Sequence, residues 1–568
     1  MKLKQWFAAR TGFGAGTTAL VVGGPSFAYV FGWVLALMLA VEAVTGTALA
    51  AFYSPSTTNA WASVAYIQDQ MSLGWLVRGL HYHGASALVI ISGMHLVQTA
   101  FYGAYKKPRE LTWWLGIVLL LLILGFAISG FVLRWDQAGY WANRVEIGIA
   151  ASTPVVGPLI RKLVIGGNEY GNLTLTRFYA LHIVVLPGIG MLCAIGHVFL
   201  ARRQGVTALR PGPSVPRWPA QTVRNVTVMA AAFACLVGFT VARHGADLAA
   251  PADPAAAYDA RPLWYFRWLF ELRHLAGSAE TIAALVAPAI VLGFLAGLPM
   301  LDRGSDLSPR KRLPWVAGSF ALFGLIGVLT LASFASDAAD PDLTKREDAA
   351  DALATKMRRR AREYGVPASG PADINTLIPM WRARTLYAAR CSGCHDVGSK
   401  DRKGPVIEQG HGNRAWLAGF LADPSGDHYW GKTKLGTSED AMKPVPLPPP
   451  DLDALVEILY AETGAPDVDP FKRDRGKLLF DKACSDCHSL DEGVAGASGP
   501  GLGRIGSRDY FTSFIANPKS PVHMGTDRSE MPRFDRDLSL VDRDAIAEYL
   551  VWLRTATKQD LDALEPLP

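Results

Sequence analysis

Ten residues of this 568-residue chain could do chemistry by their type and spacing alone. Six of them form two copies of one pattern, Cys391-Ser392-Gly393-Cys394-His395 and Cys484-Ser485-Asp486-Cys487-His488. In Cys-x-x-Cys-His the two thiols can add to the vinyl groups of a porphyrin while the adjacent imidazole binds its iron. Each copy is followed by Gly-Pro (Gly404-Pro405 and Gly499-Pro500), then by a methionine, Met442 and Met531, and then by a helix-prone stretch. A thioether on the far side of the iron completes the shell and raises the potential. One Cys-x-x-Cys would also suit a redox dithiol or half of a zinc site. Two copies, each with an immediate histidine and a later methionine, favour two covalent haem c groups, with His395, Met442, His488 and Met531 as iron ligands. His411 and His428 rival the first methionine, and His523 and Met524 the second.

The other four are histidines in long apolar runs. His81 and His95 are 14 residues apart, and His182 and His197 are 15 apart. At roughly 100° per residue, 14 steps return a side chain to within about 40° and 15 steps to within about 60°. Each helix therefore shows two imidazoles on about one face, some ~21 Å apart along its axis. Two such helices side by side make two bis-histidine sites, which suit two non-covalent haem b groups. Histidines in spans can also be plain polar contacts between helices, but ionisable groups inside a bilayer are costly and rare, and two matched pairs are rarer still. His83, two residues from His81, should point the other way and bind nothing. Gly32 and Gly46, and Gly116 and Gly130, repeat the 14-residue spacing, and without a Cβ a helix can approach a flat macrocycle closely. Arg78 and Arg177 are candidate partners for haem propionates, and Arg202 is a further cofactor-binding candidate.

The elements that must position these residues are spans. Seven apolar runs, roughly 27–52, 75–103, 114–134, 177–201, 224–243, 280–300 and 315–336, each reach the ~20 residues a helix needs to cross a bilayer. Residues 1–336 hold 25 Lys+Arg against 13 Asp+Glu, whereas residues 337–568 hold 31 against 37. A basic, apolar front and an acidic, polar back describe a membrane domain with a soluble appendage, so the net +6 is no argument for nucleic acid. Lys2, Lys4 and Arg10, Lys106-Lys107-Pro108-Arg109, the run from Arg202 through Arg203, Arg210 and Arg217 to Arg224, and Arg303 with Arg310–Arg312 all fall on one side, which is then the cytoplasmic one. Seven spans place everything after Ser336 on the opposite face, where covalent haem is attached in bacteria. Residues 337–385, rich in charge, are expected to form a solvated helical connector. The fold class is all-α.

Longer stretches carry a resemblance. Gly74–Ser86 (GWLVRGLHYHGAS), Lys106–Trp113 (KKPRELTW), Trp135–Ala142 (WDQAGYWA), Thr174–His182 (TLTRFYALH) and Arg203-Gln204-Gly205 make residues 1–210 similar to cytochrome b of the quinol–cytochrome c reductases, most of all its plastid-type form. Residues 211–336 resemble the three-span subunit IV of that complex, here fused in frame. Residues 386–465 and 466–568 resemble two class I cytochromes c. The resemblance implies that His81 pairs with His182 on an outer haem and His95 with His197 on an inner one. It also implies a quinol-oxidising pocket near the first and a quinone-reducing pocket near the second.

Two departures bear on the outer pocket. The family carries Pro-Glu-Trp-Tyr, whose carboxylate takes a quinol proton; here the chain reads Pro262-Leu263-Trp264-Tyr265, and leucine accepts no proton. The family's Pro-Trp turn reads Arg134-Trp135. Trp264 and Tyr265 remain pocket candidates, and Glu42, Asp136 and Glu271 are the candidate replacement bases. The plastid type holds a further haem through a cysteine on the first span; Val30 stands at that place.

The expected function is the membrane b/c subunit of a quinol:cytochrome c oxidoreductase in a bacterial inner membrane. Quinol would be oxidised at the outer face, with electrons passing across the membrane through two b haems and out through two c haems, coupled to proton translocation. A Rieske iron–sulfur protein is expected as a separate partner, since its motifs do not occur in this chain. The c domains, on the periplasmic side, would serve a soluble or membrane cytochrome c or a terminal oxidase, and the complex would be a homodimer. The competing reading is a transmembrane electron wire whose outer pocket has been lost.

Overall fold

The structure, a computed structural model, describes residues 20–564 apart from 168, 206, 208–211, 440 and 527. Lys2, Lys4, Arg10 and Arg210 therefore lie outside the described residues. Two compact units are present, Met1–Ile374 and Asn375–Pro568.

Apolar composition rather than periodicity shapes the first unit. Seven helices are long and apolar enough to cross a membrane: Phe27–Ala50, Gly74–Phe101, Glu110–Leu133, Asn172–Gln204, Ala220–Ala242, Trp264–Leu301 and Pro309–Ala338. In lipid every backbone polar group must be satisfied within the segment, which leaves the helix as the answer for runs of this length. The first span packs along the second and the third along the fourth, while the fifth covers the first two. Val34, Met38, Leu88 and Leu236 form the seam between spans one, two and five. Among the described residues the only strands are three residues long, Leu20–Val22 paired antiparallel with Ser214–Pro216.

The fourth span is not uniform. Asn172–Ala180 is α-helical, Leu181–Val185 forms a π-helical turn, and Leu186–Gln204 resumes the α-helix. Proline explains the place. Pro187 has no N–H for the carbonyl of Ile183 and its ring crowds that carbonyl, so the backbone there widens by one residue.

Short helices cover one end of the bundle. Asp136 caps Gln137–Ala151 by accepting from Gly139 N at 2.8 Å, and the helix buries Tyr140 and Ile147 against Ile165, Leu175 and Phe178. The connector departs from expectation. Pro341–Tyr364 is not a solvated helix, because Leu343, Ala354, Met357 and Ala361 are buried along one stripe. Arg358 pairs with Asp69 on the helix Ala60–Asp69 (Nε–Oδ2 2.8 Å). The charged half of its residues hides an amphipathic seam.

The second unit is built from the helices Trp381–Arg390, Arg414–Ala422, Pro449–Glu462, Pro470–Ala483, Arg508–Ala516 and Leu540–Leu553. Their partnerships cross the boundary expected at residues 465–466. Pro449–Glu462 lies against Pro470–Ala483, and Trp381–Arg390 lies against Leu540–Leu553.

Candidate functional site

Four spans surround one cavity of about 1960 Å³. Its walls include His81, His95, His182 and His197, and also Gly32, Gly46, Gly116 and Gly130. The π turn puts the histidines in line. It absorbs one residue between His182 and His197, so their 15-residue spacing acts as the 14-residue spacing of His81 and His95.

The rings of His81 and His182 face each other with centroids 6.2 Å apart. Two metal–imidazole bonds of about 2 Å, each extended by roughly 1 Å from ring nitrogen to ring centre, span that gap. His95 and His197 lie within electrostatic reach of each other lower in the cavity. The glycines make room for the rings themselves. A Cβ at Gly46 would stand 2.9 Å from His81 Cε1, one at Gly130 2.8 Å from His182 Cε1, and one at Gly116 3.3 Å from His197 Cε1. Gly32 opens on empty space.

The Nδ1 atoms separate the two pairs. His81 Nδ1 is 2.9 Å from Glu42 Oε2 and 3.1 Å from Thr45 Oγ1, and His182 Nδ1 is 2.9 Å from Ser129 Oγ. Thr45 and Ser129 hand their own protons to Val41 O and Gly125 O. Each imidazole therefore donates from Nδ1 and leaves Nε2 for a metal. Thr45 and Ser129 immediately precede Gly46 and Gly130, whereas Gly32 and Gly116 follow Phe31 and Leu115. His95 Nδ1 and His197 Nδ1 accordingly meet no hydroxyl or carboxyl among the described residues; Gln98 is the polar neighbour of the first ring and the Thr112 backbone of the second. A hydroxyl before the glycine is a readable sequence feature that the histidine spacing alone does not supply.

The remaining candidates divide between cavity and scaffold. His83 turns away, its Nε2 2.8 Å from Gly245 O. Arg78 lines the cavity but donates to Gln68 Oε1, Ala246 O and Asp247 O. Arg177 lies over the Gly166 turn, outside the lining. Arg202 lines the opposite end with Arg109, Arg217, Gln221 and Asn225.

Pro262, Leu263, Trp264 and Tyr265 also line the cavity, with Trp264 Nε1 donating to Ser86 Oγ at 3.3 Å. Arg261 and Arg267 hold this segment to Asp337 at the end of the seventh span. Asp136 is fully buried, and its carboxylate is taken by Arg134 (2.6 Å), Gly139 N and Ala249 N. It is a cap and an ion-pair partner rather than an open base. Glu271 lies outside the lining, and Glu42 faces His81.

One carboxyl escaped sequence reasoning. Glu146, on the helix Gln137–Ala151, lies outside the lining like Glu271, but within electrostatic reach of Tyr265, which lines it. Its Oε1 is buried without a hydrogen-bond partner, and Oε2 has only Asn143 Nδ2 at 3.5 Å. Burial pushes this carboxyl up to about 8, against the small lowering from Asn143. Nothing local marks it, because the residues that bury it come from distant segments.

In the second unit the two attachment motifs repeat one geometry. His395 Nδ1 is 2.9 Å from Pro405 O, and His488 Nδ1 is 2.9 Å from Pro500 O. A Cβ at Gly404 or Gly499 would come within 2.4 or 2.5 Å of the histidine Cε1. The Gly-Pro after each motif thus fixes the imidazole tautomer and leaves Nε2 for iron. All four motif cysteines are free thiols. Among the described residues no three His, Cys, Asp or Glu side chains gather as a metal site. The residues present fit the haems that their types suggested.

Comparison with known proteins agrees. Residues 19–205 match the cytochrome b/b6/petB family, and residues 472–550 match cytochrome c oxidase, cbb3-type, subunit III. Cytochrome b6 of Cyanidium caldarium is 38% identical over 179 residues, 32% of this chain and 83% of that protein. Cytochrome b6 of Crocosphaera subtropica (strain ATCC 51142 / BH68) is 36% identical over 210 residues, 36% of this chain and 95% of that protein. A solved structure, a hyperthermophilic respiratory Complex III, aligns with a TM-score of 0.49 at 25% identity, over 60% of this chain and 96% of that one. The chain belongs to the cytochrome b/b6 family, extended by a cbb3-type cytochrome c domain, and is a multi-pass membrane subunit of electron transfer.

Proposed function

We propose that the chain is the b/c subunit of a quinol:cytochrome c oxidoreductase that works with a separate Rieske iron–sulfur protein. The observation that carries this reading is the single cavity. It joins both histidine pairs to an aromatic pocket at Leu263–Tyr265 and to a polar, cationic mouth at Arg109, Arg202 and Arg217. When bound, two b haems and two c haems carry single electrons between these places and out to a soluble or membrane cytochrome c or terminal oxidase.

The chain's own residues do the rest. His81 with His182, and His95 with His197, hold the b haems, and Glu42, Thr45 and Ser129 orient the outer pair. Trp264 and Tyr265 flank a quinol ring in the outer pocket. Quinol oxidation releases two electrons and two protons. One electron and one hydroxyl proton would leave to the iron–sulfur partner, the other electron would pass to the haem that His81 and His182 would hold, and Glu146 takes the second hydroxyl proton in place of the carboxylate that Leu263 lacks. Arg109, Arg202 and Arg217 offer positive charge where quinone is reduced at the inner face. In this reading the mouth faces the cytoplasm and the c domains lie on the outer side of a bacterial inner membrane, an orientation that the basic loops support.

Leu263 is the observation that favours the wire. The test is reduction of the c haems by a quinol analogue in the complex isolated with its iron–sulfur subunit. Proton removal from the quinol by Glu146 requires its carboxylate form, so the rate should rise with pH through about 8. Glu146→Gln should remove that limb and lower turnover by roughly 10²-fold or more, the usual worth of a positioned base. No reduction by quinol in the parent complex, with haems reducible only by a protein donor, leaves the wire.

A further inference from the structure

If each 93-residue copy closed on itself, Trp381–Arg390 would lie on Pro449–Glu462, and Pro470–Ala483 on Leu540–Leu553. The structure pairs the other two combinations. Gly476 sits so close to Pro449–Glu462 that a Cβ would fall 2.0 Å from Ala454 O. Ala383 and Ala547, at the same positions of the repeat, are both buried. Tyr387 packs at a tilt against Tyr549, ring centroids 5.4 Å apart, and Arg382 pairs with Asp542 at 2.7 Å. Gly410 N donates to Leu553 O, so the loop after the first motif also closes on the last helix of the second copy.

The cause lies in the connection. Only residues 463–469 separate Pro449–Glu462 from Pro470–Ala483, and a link this short makes the two helices antiparallel neighbours. Arg414 locks the turn by donating to Glu457 (2.7 and 2.8 Å) and to Asp467 (2.8 Å), and Glu457 Oε1 accepts from Asp469 N. With its last helix committed to the second copy, the first copy's opening helix takes the second copy's last helix.

The apolar filling follows the helices. Met442 packs on Leu421, Leu455, Leu459 and Phe480 together with Cys484, Leu490 and Leu502. The first methionine therefore lies in the core that surrounds the second attachment motif.

We propose that the two haem c sites are built from exchanged halves: Met442 is the sixth ligand opposite His488, on the haem held by Cys484 and Cys487, and Met531 is the sixth ligand opposite His395, on the haem held by Cys391 and Cys394. This replaces the in-order pairing expected from the sequence. It rests on the haem c reading of the two motifs.

The test uses the full chain with one attachment motif disabled at a time. In Cys484→Ala/Cys487→Ala the remaining haem is held at His395. There Met531→Ala should abolish the long-wavelength absorption band of methionine-ligated ferric haem, and Met442→Ala should leave it. In Cys391→Ala/Cys394→Ala the outcomes should reverse. Met→His at the same positions keeps a ligand on the iron and should convert the same haem, and only that haem, to a bis-histidine spectrum. In the unaltered two-haem chain, zero-length coupling should join Lys472 to Asp453, whose charged groups are 3.6 Å apart. Loss of the band by the methionine that follows each motif in sequence overturns the exchange. So does a cross-link from Pro470–Ala483 to Leu540–Leu553, or a band indifferent to both methionines. Fewer than two covalent haems on the parent chain overturns the haem reading instead.

Discussion

At the scale of single residues, the decisive atoms are the Nδ1 nitrogens of the four span histidines. A ring that donates from Nδ1 to an oxygen is a more basic ligand at Nε2 and stabilises the higher charge on iron. The outer pair has such oxygens, and for His81 one of them belongs to the Glu42 carboxyl at 2.9 Å. The inner pair has no carboxyl or hydroxyl there among the described residues, only Gln98 and the Thr112 backbone as polar neighbours. The outer b haem should therefore have the lower potential, which makes electron flow inward downhill. Glu42→Gln keeps a hydrogen-bond acceptor and removes the carboxyl charge. It should raise the outer potential by about 60 mV, the value of one tenfold change for a one-electron couple. A redox titration that resolves the two b haems checks this, with the inner potential as the unchanged reference. An unmoved outer haem would reduce Glu42 to packing against Gly84, where a Cβ would strike its Oε1 at 2.1 Å.

At the scale of elements, the π turn at Leu181–Val185 makes a prediction that separates it from ordinary helix. Deleting Val184 removes the extra residue, lets the span run as plain α-helix and keeps His182 and His197 in line. Deleting Met191 from the regular part turns His197 by about 100° relative to His182. The first variant should retain both b haems and the second should lose the inner one, as read in the α-band spectra of the reduced protein. This turn also marks how far the sequence reads. The seven spans were legible because apolar length alone determines them. The histidine sites were legible because 14 residues nearly complete four turns. The π turn was not, because its hydrogen bonds are set by packing and its one local mark, Pro187, also fits a plain kink. The connector Pro341–Tyr364 was misread because its charges outnumber the buried stripe from Leu343 to Ala361. The exchange of helices in the second unit was hidden because each copy, read in order, contains a complete set of parts.

At the scale of the whole membrane unit, the second and third spans must be held to the sixth and seventh at the end of the cavity opposite Leu263. Lys106 and Tyr105, from the loop after the second span, meet Asp302 and Arg312, which bracket the loop before the seventh. Asp302 Oδ1 is 2.7 Å from Lys106 Nζ, and Oδ2 is 2.7 Å from Arg312 Nε and 2.8 Å from Tyr105 OH. Burial opposes the charge of Asp302, but the hydrogen bonds from Lys106, Arg312 and Tyr105 outweigh it and hold the carboxyl below its ordinary range. A depressed carboxyl contributes stability in full above its unfolded value of about 3.9, and that contribution fades as pH falls through the folded value. The clamp is thus intact at neutral pH and released only by acid. Asp302→Asn removes the charge at every pH and leaves Arg312, 2% exposed, and Lys106, 7% exposed, without their anion. Breaking one side of a buried pair costs about 3–5 kcal/mol. The variant should lose both b haem signals at a lower temperature than the parent at pH 7 while its c haems stay attached. The difference should hold down to about pH 4 and narrow only below it, as the parent's own Asp302 is protonated. Equal melting at pH 7 would mean that these spans are held by the Leu295 and Leu298 packing against Trp113 alone.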